Sequence, residues 1–374
     1  MRNYWKSLDG LRALAVGIVM LAHAGSPFPR SGGVGVDIFF VLSGFLITGI
    51  LSTEFQRYGS ISRKNFYLRR LLRLTPALLA SVFLFAVLTW ISNNFVRLDV
   101  VAITLTYTSN YARALFDYDL QSLAHCWSLA IEEQYYLLWP FVVVVVERNI
   151  RTILSKFLAL LSLSLLLALY RAAMVGTFDA TRINFALDTH MDGLVMGSAL
   201  AYFAAFLATL KDSVALDRFL QLLSKLVVPA SICGLLVIMH FITWGNPWMA
   251  RLGYTLVAGG SCVIVLDLVA SPFSLIRSFL ENPFFTYFGK ISYGLYLYHF
   301  PVYHFIEYEL SDFSQIYVKA VMVTATIGIA SLSYHLIERP ILRFKEHYGH
   351  RLRSCPASAK PEPDASSLAP PDHG

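Results

Sequence analysis

The segment SLDGLRALAVGIVMLAHAG sets Arg12 and His23 on one apolar stretch with ten residues between them. A straight helix rises ~1.5 Å per residue, which separates the two side chains by roughly 16 Å, about half a bilayer. Ionisable groups are costly inside such a stretch and are functional candidates for that reason. Imidazole exchanges a proton near neutral pH, so His23 is a candidate general base toward a hydroxyl. The plainer reading is a snorkelling arginine and an interfacial histidine at opposite helix ends. The following stretch opens GGVGVDIFFVLSGFLIT. Its connection to the first is short, so Asp37 is predicted close in depth to His23, where a carboxylate would fix the imidazole tautomer. Asp37 could equally be a helix-start carboxylate held by the N-terminal dipole. Gly32, Gly33, Gly35 and Gly44 allow close approach by a neighbouring helix or by a ligand.

Within RKNFYLRRLLRLTP, Arg70 and Arg73 share a helical face, with Arg69 adjacent. Guanidinium groups pair phosphate in bidentate fashion, so this cluster suits a polyphosphate ligand at the inner membrane face. Anchoring to anionic lipid is the competing role. In HCWSLAIEEQYYLLWP, Ser128, Glu132 and Tyr136 recur every four residues and line one stripe of a helix. Glu132 and Glu133 are too costly to face lipid. At least one is expected to meet a polar cavity or a positive partner, as a catalytic carboxylate or as half of a structural ion pair. RINFALDTHMDGLVMG adds Asp188, His190 and Asp192, and GKISYGLYLYHFPVYHF adds Ser292, Tyr293, Tyr296 and His299. Cys126, Cys233, Cys262 and Cys355 are widely spaced, mostly in apolar runs. They show neither metal-ligand spacing nor a disulfide framework, and no metal is expected.

The elements that hold these residues are membrane helices. Of 374 residues, 56% are hydrophobic and only 14% are charged, with a mean hydropathy of +0.57. Soluble domains carry roughly 25% charged residues, so this chain has too few to cover an aqueous surface. The fold class is all-α, a polytopic membrane protein. Ten apolar spans are read at 8–24, 34–52, 74–92, 127–146, 157–175, 185–210, 226–244, 251–270, 290–310 and 317–337. Those at 127–146 and 290–310 carry polar residues and are the least simple crossings. Asp9 and Arg12 interrupt the first apolar stretch, and no cleavable signal peptide is legible.

With the N-terminus inside, 23 of the 30 lysines and arginines fall on inner segments. The others are Arg30, Arg97, Arg113, Arg171, Arg182, Arg251 and Lys319. That sidedness predicts both termini in the cytoplasm. The segment 93–126 is expected along the outer interface. Residues 1–345 read as a transmembrane domain, and 346–374, rich in Pro, Ser and Ala, as a disordered cytoplasmic tail.

As an ordered set these segments resemble the acyltransferase-3 family, the integral membrane O-acyltransferases of bacterial surface polysaccharides, O-antigen and Nod-factor type. The matching blocks are Arg12 to His23, GVDIFFVLSGFLIT at 35–48, Arg70 to Arg73 in FYLRRLLRLTP, and Ser128, Glu132 and Tyr136 in WSLAIEEQYYLLWP. DGLVMG at 192–197, ISYGLYLYHFP at 291–301 and IERP at 337–340 complete them. The resemblance covers roughly residues 5–345. It implies transfer of an acyl group, usually acetyl, from acyl-CoA to a carbohydrate or lipid-linked glycan hydroxyl. The enzyme would sit in the bacterial cytoplasmic (inner) membrane, with acetyl-CoA approaching from the cytoplasm. It also implies His23 as catalytic base, Arg12 in the same motif, Arg70 and Arg73 near the donor, and Glu132 in a polar stripe with Ser128 and Tyr136.

The residue chemistry is compatible with those roles. His23, Asp37 and Glu132 are the catalytic candidates, and Arg12, Arg70 and Arg73 would hold the anionic end of coenzyme A. Ser128, Tyr136, His190 and His299 complete the polar set. Tyr136, Ser128 or backbone amides near Gly44 could meet a developing oxyanion. Membrane lipid surrounds the chain, and no nucleic-acid partner is expected. The competing class is a proton-coupled transporter or flippase of a glycan or lipid-linked substrate, which also uses buried carboxylates and histidines. No internal repeat of the kind common in transporters is legible.

Overall fold

The structure is a computed structural model, and it describes residues 4–343 apart from 211, 212 and 244. Backbone polar groups find no partner in hydrocarbon, so an apolar chain of this kind must satisfy them within helices. Among the described residues there is no β-strand, only an isolated bridge between Val175 and Phe178. The chain belongs to the all-α polytopic membrane class. In order the helices are α1 Lys6–His23, α2 Gly33–Tyr58, α3 Arg63–Ile91, α4 Leu98–Leu105, α5 Ser109–Phe116 and α6 Trp127–Asn149. Then come α7 Ile153–Met174, α8 Ala180–Phe185, α9 Leu187–His190, α10 Asp192–Thr209, α11 Val214–Leu222 and α12 Val228–Phe241. The last are α13 Tyr254–Ala270, α14 Arg277–Leu280, α15 Pro283–Lys290, α16 Ser292–Glu309 and α17 Gln315–Ser333.

Each of the ten predicted spans coincides with a helix, and eight helices among the described residues are long and apolar enough to cross a membrane. The two that fall short are α1, which carries Lys6, Asp9 and Arg12, and α16, with its tyrosines, histidines and glutamates. The span predicted from 185 begins only at Asp192, because the chain breaks at Ala186 and again at Met191. The segment 93–126 folds into α4, α5 and a 3₁₀ turn over Gln121–Cys126. The predicted disordered tail at 346–374 lies outside the described residues.

Small residues set the closest crossings. A Cβ on Gly44 would collide with the Leu194 carbonyl of α10, and one on Gly197 with the Val41 carbonyl of α2. Gly35 likewise meets the Ala15 carbonyl of α1. These glycines therefore admit neighbouring helices rather than a ligand. Pro301 removes the N–H that would bond the Leu297 carbonyl, and Ser81 Oγ of α3 donates to that carbonyl at 3.0 Å instead. The proline thereby becomes a tie between α16 and α3.

Charges predicted for loops are drawn into the interior. Arg171, expected in an outer segment, is 0% exposed. It ion-pairs with Asp192 and donates to the carbonyls of Ala250 at 2.7 Å and Thr189 at 3.1 Å, and to Thr255 Oγ1 at 2.7 Å. Lys156, counted among the inner-segment charges, is buried and pairs with Glu147, which also accepts from Ser52 at 2.6 Å and Tyr202 at 2.9 Å. Pairing with a carboxylate and further acceptors makes burial of such charges tolerable.

Candidate active site

Three imidazoles meet where α1 ends. His23 Nδ1 lies 2.9 Å from His299 Nε2, and the two rings stack at 5.1 Å. His299 Nδ1 lies 2.6 Å from the Tyr296 carbonyl oxygen, which can only accept, so His299 carries its proton there. In the neutral ring its Nε2 is then the acceptor. His23 must therefore donate from Nδ1, which leaves the lone pair on His23 Nε2. That nitrogen makes no hydrogen bond among the described residues. His125 completes the group, 5.1 Å from His299 edge-to-face and stacked at 5.2 Å on Phe300.

Access separates the three rings. His125 and His299 are buried, at 3% and 0%, whereas His23 is exposed. His23 nevertheless packs on His299 and Phe300, with the charge of His304 within reach. The free lone pair and the accessible face belong to the same imidazole.

Below this group the α6 stripe builds a polar column. Ser128 Oγ lies 2.5 Å from Tyr296 OH, which donates at 2.7 Å to the His125 carbonyl. One helical turn on, roughly 6 Å deeper, Glu132 Oε1 accepts from Ser43 Oγ at 2.8 Å. A turn further, the Arg70 guanidinium lies over the Tyr136 ring at 3.7 Å and faces Glu133 Oε1 at 3.7 Å. The latter distance is too long for a hydrogen bond, and both Arg70 Nε and Glu133 Oε1 lack one. The charges of Arg12 and Arg70 act on Arg73, so the three guanidinium groups converge. Arg12 is committed to Asp9 at 3.0 Å. Arg73 is exposed, has no ion-pair partner within 4.0 Å among the described residues, and feels Asp9 and Glu338 only at longer range. Like charges held together, with Arg73 unpaired among the described residues, make a basin of positive potential that can attract an anion.

Two expectations need correction. Asp37 does not face His23. Its Oδ1 lies 3.0 Å from His190 Nε2, whose Nδ1 lies 2.6 Å from the Asn184 carbonyl oxygen. The break at residues 186–191 swings His190 under α2 and so captures the carboxylate. No carboxylate hydrogen-bonds His23 or His299 among the described residues. Two of the suggested oxyanion donors are also engaged elsewhere. Tyr296 spends its proton on the His125 carbonyl, so Ser128 must donate to Tyr296, and Gly44 is packed on α10, while Tyr136 has its ring face beneath Arg70. Nearby, burial works against the Asp188 carboxylate, but hydrogen bonds from Arg182 at 2.9 and 2.7 Å outweigh it and hold its pKa below the usual range.

A family profile described as an acyltransferase domain matches residues 5–335. The chain belongs to this acyltransferase family. It is 33% identical over 357 residues to the peptidoglycan O-acetyltransferase OatA of Listeria monocytogenes, covering 91% of this chain and 56% of that protein. It is 33% identical over 361 residues to the O-acetyltransferase OatA of Staphylococcus aureus, covering 91% of this chain and 57% of that protein. The chain thus spans little more than half the length of these relatives. No solved structure matches it. The matched region of the acyltransferase domain contains the imidazole group, the column and the arginines together.

Sequence reasoning passed over His125, Ser43 and Glu338. The first stands in HCWS directly before the α6 stripe, and its type was the available signal. Ser43 lies in an apolar run where a single hydroxyl carries no pattern. Glu338 follows α17 in the IERP block, buried beside Ser333 at 3.4 Å.

Proposed function

We propose that this chain is a membrane O-acyltransferase that moves an acetyl group from acetyl-coenzyme A to a hydroxyl of a cell-surface carbohydrate in the bacterial inner membrane. The observation that carries the reading is His23, an accessible imidazole with its Nδ1 proton tied to His299 and its Nε2 lone pair free. The names of the relatives support acetyl as the group and a glycan as the acceptor. Arg73 and Arg70 supply charge for the donor's phosphates, with Arg12 and Asp9 closing the basin. The ~16 Å from Arg12 to His23 along the helix suits an extended thioester arm running beside the α6 column. Both termini lie in the cytoplasm in this reading, so the donor enters from there and the acceptor from the other side.

In the chemical step His23 Nε2 takes the acceptor hydroxyl proton as the oxygen attacks the thioester carbonyl. The tetrahedral adduct collapses, the C–S bond breaks, and the imidazolium returns its proton to the departing thiolate. His299 keeps His23 in the tautomer that leaves Nε2 basic, as the carboxylate does in hydrolytic triads. A neutral imidazole stabilises the imidazolium less than a carboxylate would. The direct test is incubation of membranes containing the protein with acetyl-labelled coenzyme A. Label moving into envelope carbohydrate as a base-labile ester is expected. Label remaining on the thioester while glycan crosses the membrane would favour transport instead.

A further inference from the structure

Beyond the imidazoles α16 continues for two turns. His304, Glu307 and Tyr308 fall on one helical stripe, and with Glu309 and with Ser311 in the turn just past the helix they line an open cleft of about 720 Å³. Small-molecule sites typically occupy about 300–1,000 Å³. Two ring contacts join the cleft to the base. His304 packs on Phe300 at 4.7 Å, and Phe300 meets the His23 ring edge-on at 5.0 Å. Ser92, just past the end of α3, donates to Glu309 at 3.5 Å and fixes which face the cleft occupies. Along α3 that face lies roughly 30 Å from Arg70, across the molecule from the arginine basin.

The lining has the chemistry of a sugar site. The Tyr308 side chain is 66% exposed, a bare aromatic face suited to the C–H surface of a pyranose. Glu307 and Glu309 accept hydrogen bonds from hydroxyls, while His304 and Ser311 can donate. No lysine or arginine lines the cleft, and neither glutamate has an ion-pair partner among the described residues. The charge of Asp119 also reaches His304. Two or three carboxylates around one cleft disfavour a bound anion by a factor on the order of ten at ordinary ionic strength.

We infer that this cleft is the acceptor subsite, and that it takes a saccharide bearing no carboxylate or phosphate at the reacting residue, presenting one hydroxyl past Phe300 to His23. The inference rests on the O-acyltransferase reading above.

The experiment uses the purified full chain, acetyl-labelled coenzyme A and native envelope glycan, with chitotetraose and tetragalacturonate as competing probes. Chitotetraose is expected to inhibit transfer at concentrations about tenfold lower than the anionic tetramer, a gap that Glu307→Gln with Glu309→Gln narrows to about threefold or less. Tyr308→Ala is expected to raise the KM for glycan about tenfold, with the Kd for coenzyme A unchanged as proof of folding. Equal inhibition by the two tetramers, inhibition by neither, or an unaltered KM in Tyr308→Ala would overturn the assignment. Stronger competition by phosphocholine than by chitotetraose would give the cleft to lipid headgroups and overturn it as well. Loss or retention of transfer in His23→Asn reports on the parent reading separately, since that side chain does not line the cleft.

Discussion

His23 depends on His299 for its tautomer, and the two can be separated experimentally. His299→Leu removes the acceptor for the Nδ1 proton, so the ring can present N–H where a lone pair is needed. A fall in kcat of roughly 10²-fold with little change in either KM is expected, smaller than the loss from removing the base itself. His299→Gln, whose amide oxygen can accept the same proton, should recover part of that loss in steady-state assays. In the proposed reading Arg73 serves the donor. Losing one charge-assisted contact of about 1.5–3 kcal/mol predicts a rise in the KM for acetyl-coenzyme A of roughly 10- to 100-fold in Arg73→Ala. Arg12→Ala should do less in the same titration, because Asp9 already holds that guanidinium at 3.0 Å. The individual candidates were legible in sequence because ionisable residues are rare in apolar runs. Their partners were not. Spacing placed Asp37 at the depth of His23, but lateral direction depends on helix rotation, and the carboxylate went to His190.

At the scale of elements, the site is held by crossings that tolerate no added bulk. Gly44→Ala pushes a methyl group into the Leu194 carbonyl. It should cost about 1–3 kcal/mol, visible as a lower melting temperature in detergent. Arg171 fastens α7 to the corner that carries His190 and to α13. Arg171→Met leaves Asp192 charged and unpaired, with an expected loss of about 3–5 kcal/mol. Adding Asp192→Leu should recover much of it in the same thermal measurement. Helix existence was read well from apolar length, and helix ends less well. The start at Asp192 was missed because 185–191 continues an apolar pattern while the backbone turns at Ala186 and Met191. Arg171 counts with the outer-segment charges in sequence because it lies near a span end, and its burial shows only once its acceptors from α9, α10 and α13 are seen.

For the molecule as a whole, the proposed function requires two faces joined through one imidazole. Exposed side chains mark the faces well. Cysteine placed at Asn94 should react with an impermeant thiol reagent in intact cells, and cysteine at Tyr58 only after permeabilisation, in a background lacking the native cysteines. The reverse pattern would put the arginine basin outside and contradict a cytoplasmic donor. The ordered blocks from Arg12 to Glu338 made the family readable from sequence. The imidazole cluster was less so, since His23, His125 and His299 come from three distant segments and meet only in the folded bundle. The most direct measurement is label transfer from acetyl-coenzyme A to envelope glycan by purified His23→Asn protein. Transfer is expected to fall by about 10²- to 10⁴-fold while coenzyme A binds with unchanged Kd. Transfer at the wild-type rate would contradict the account.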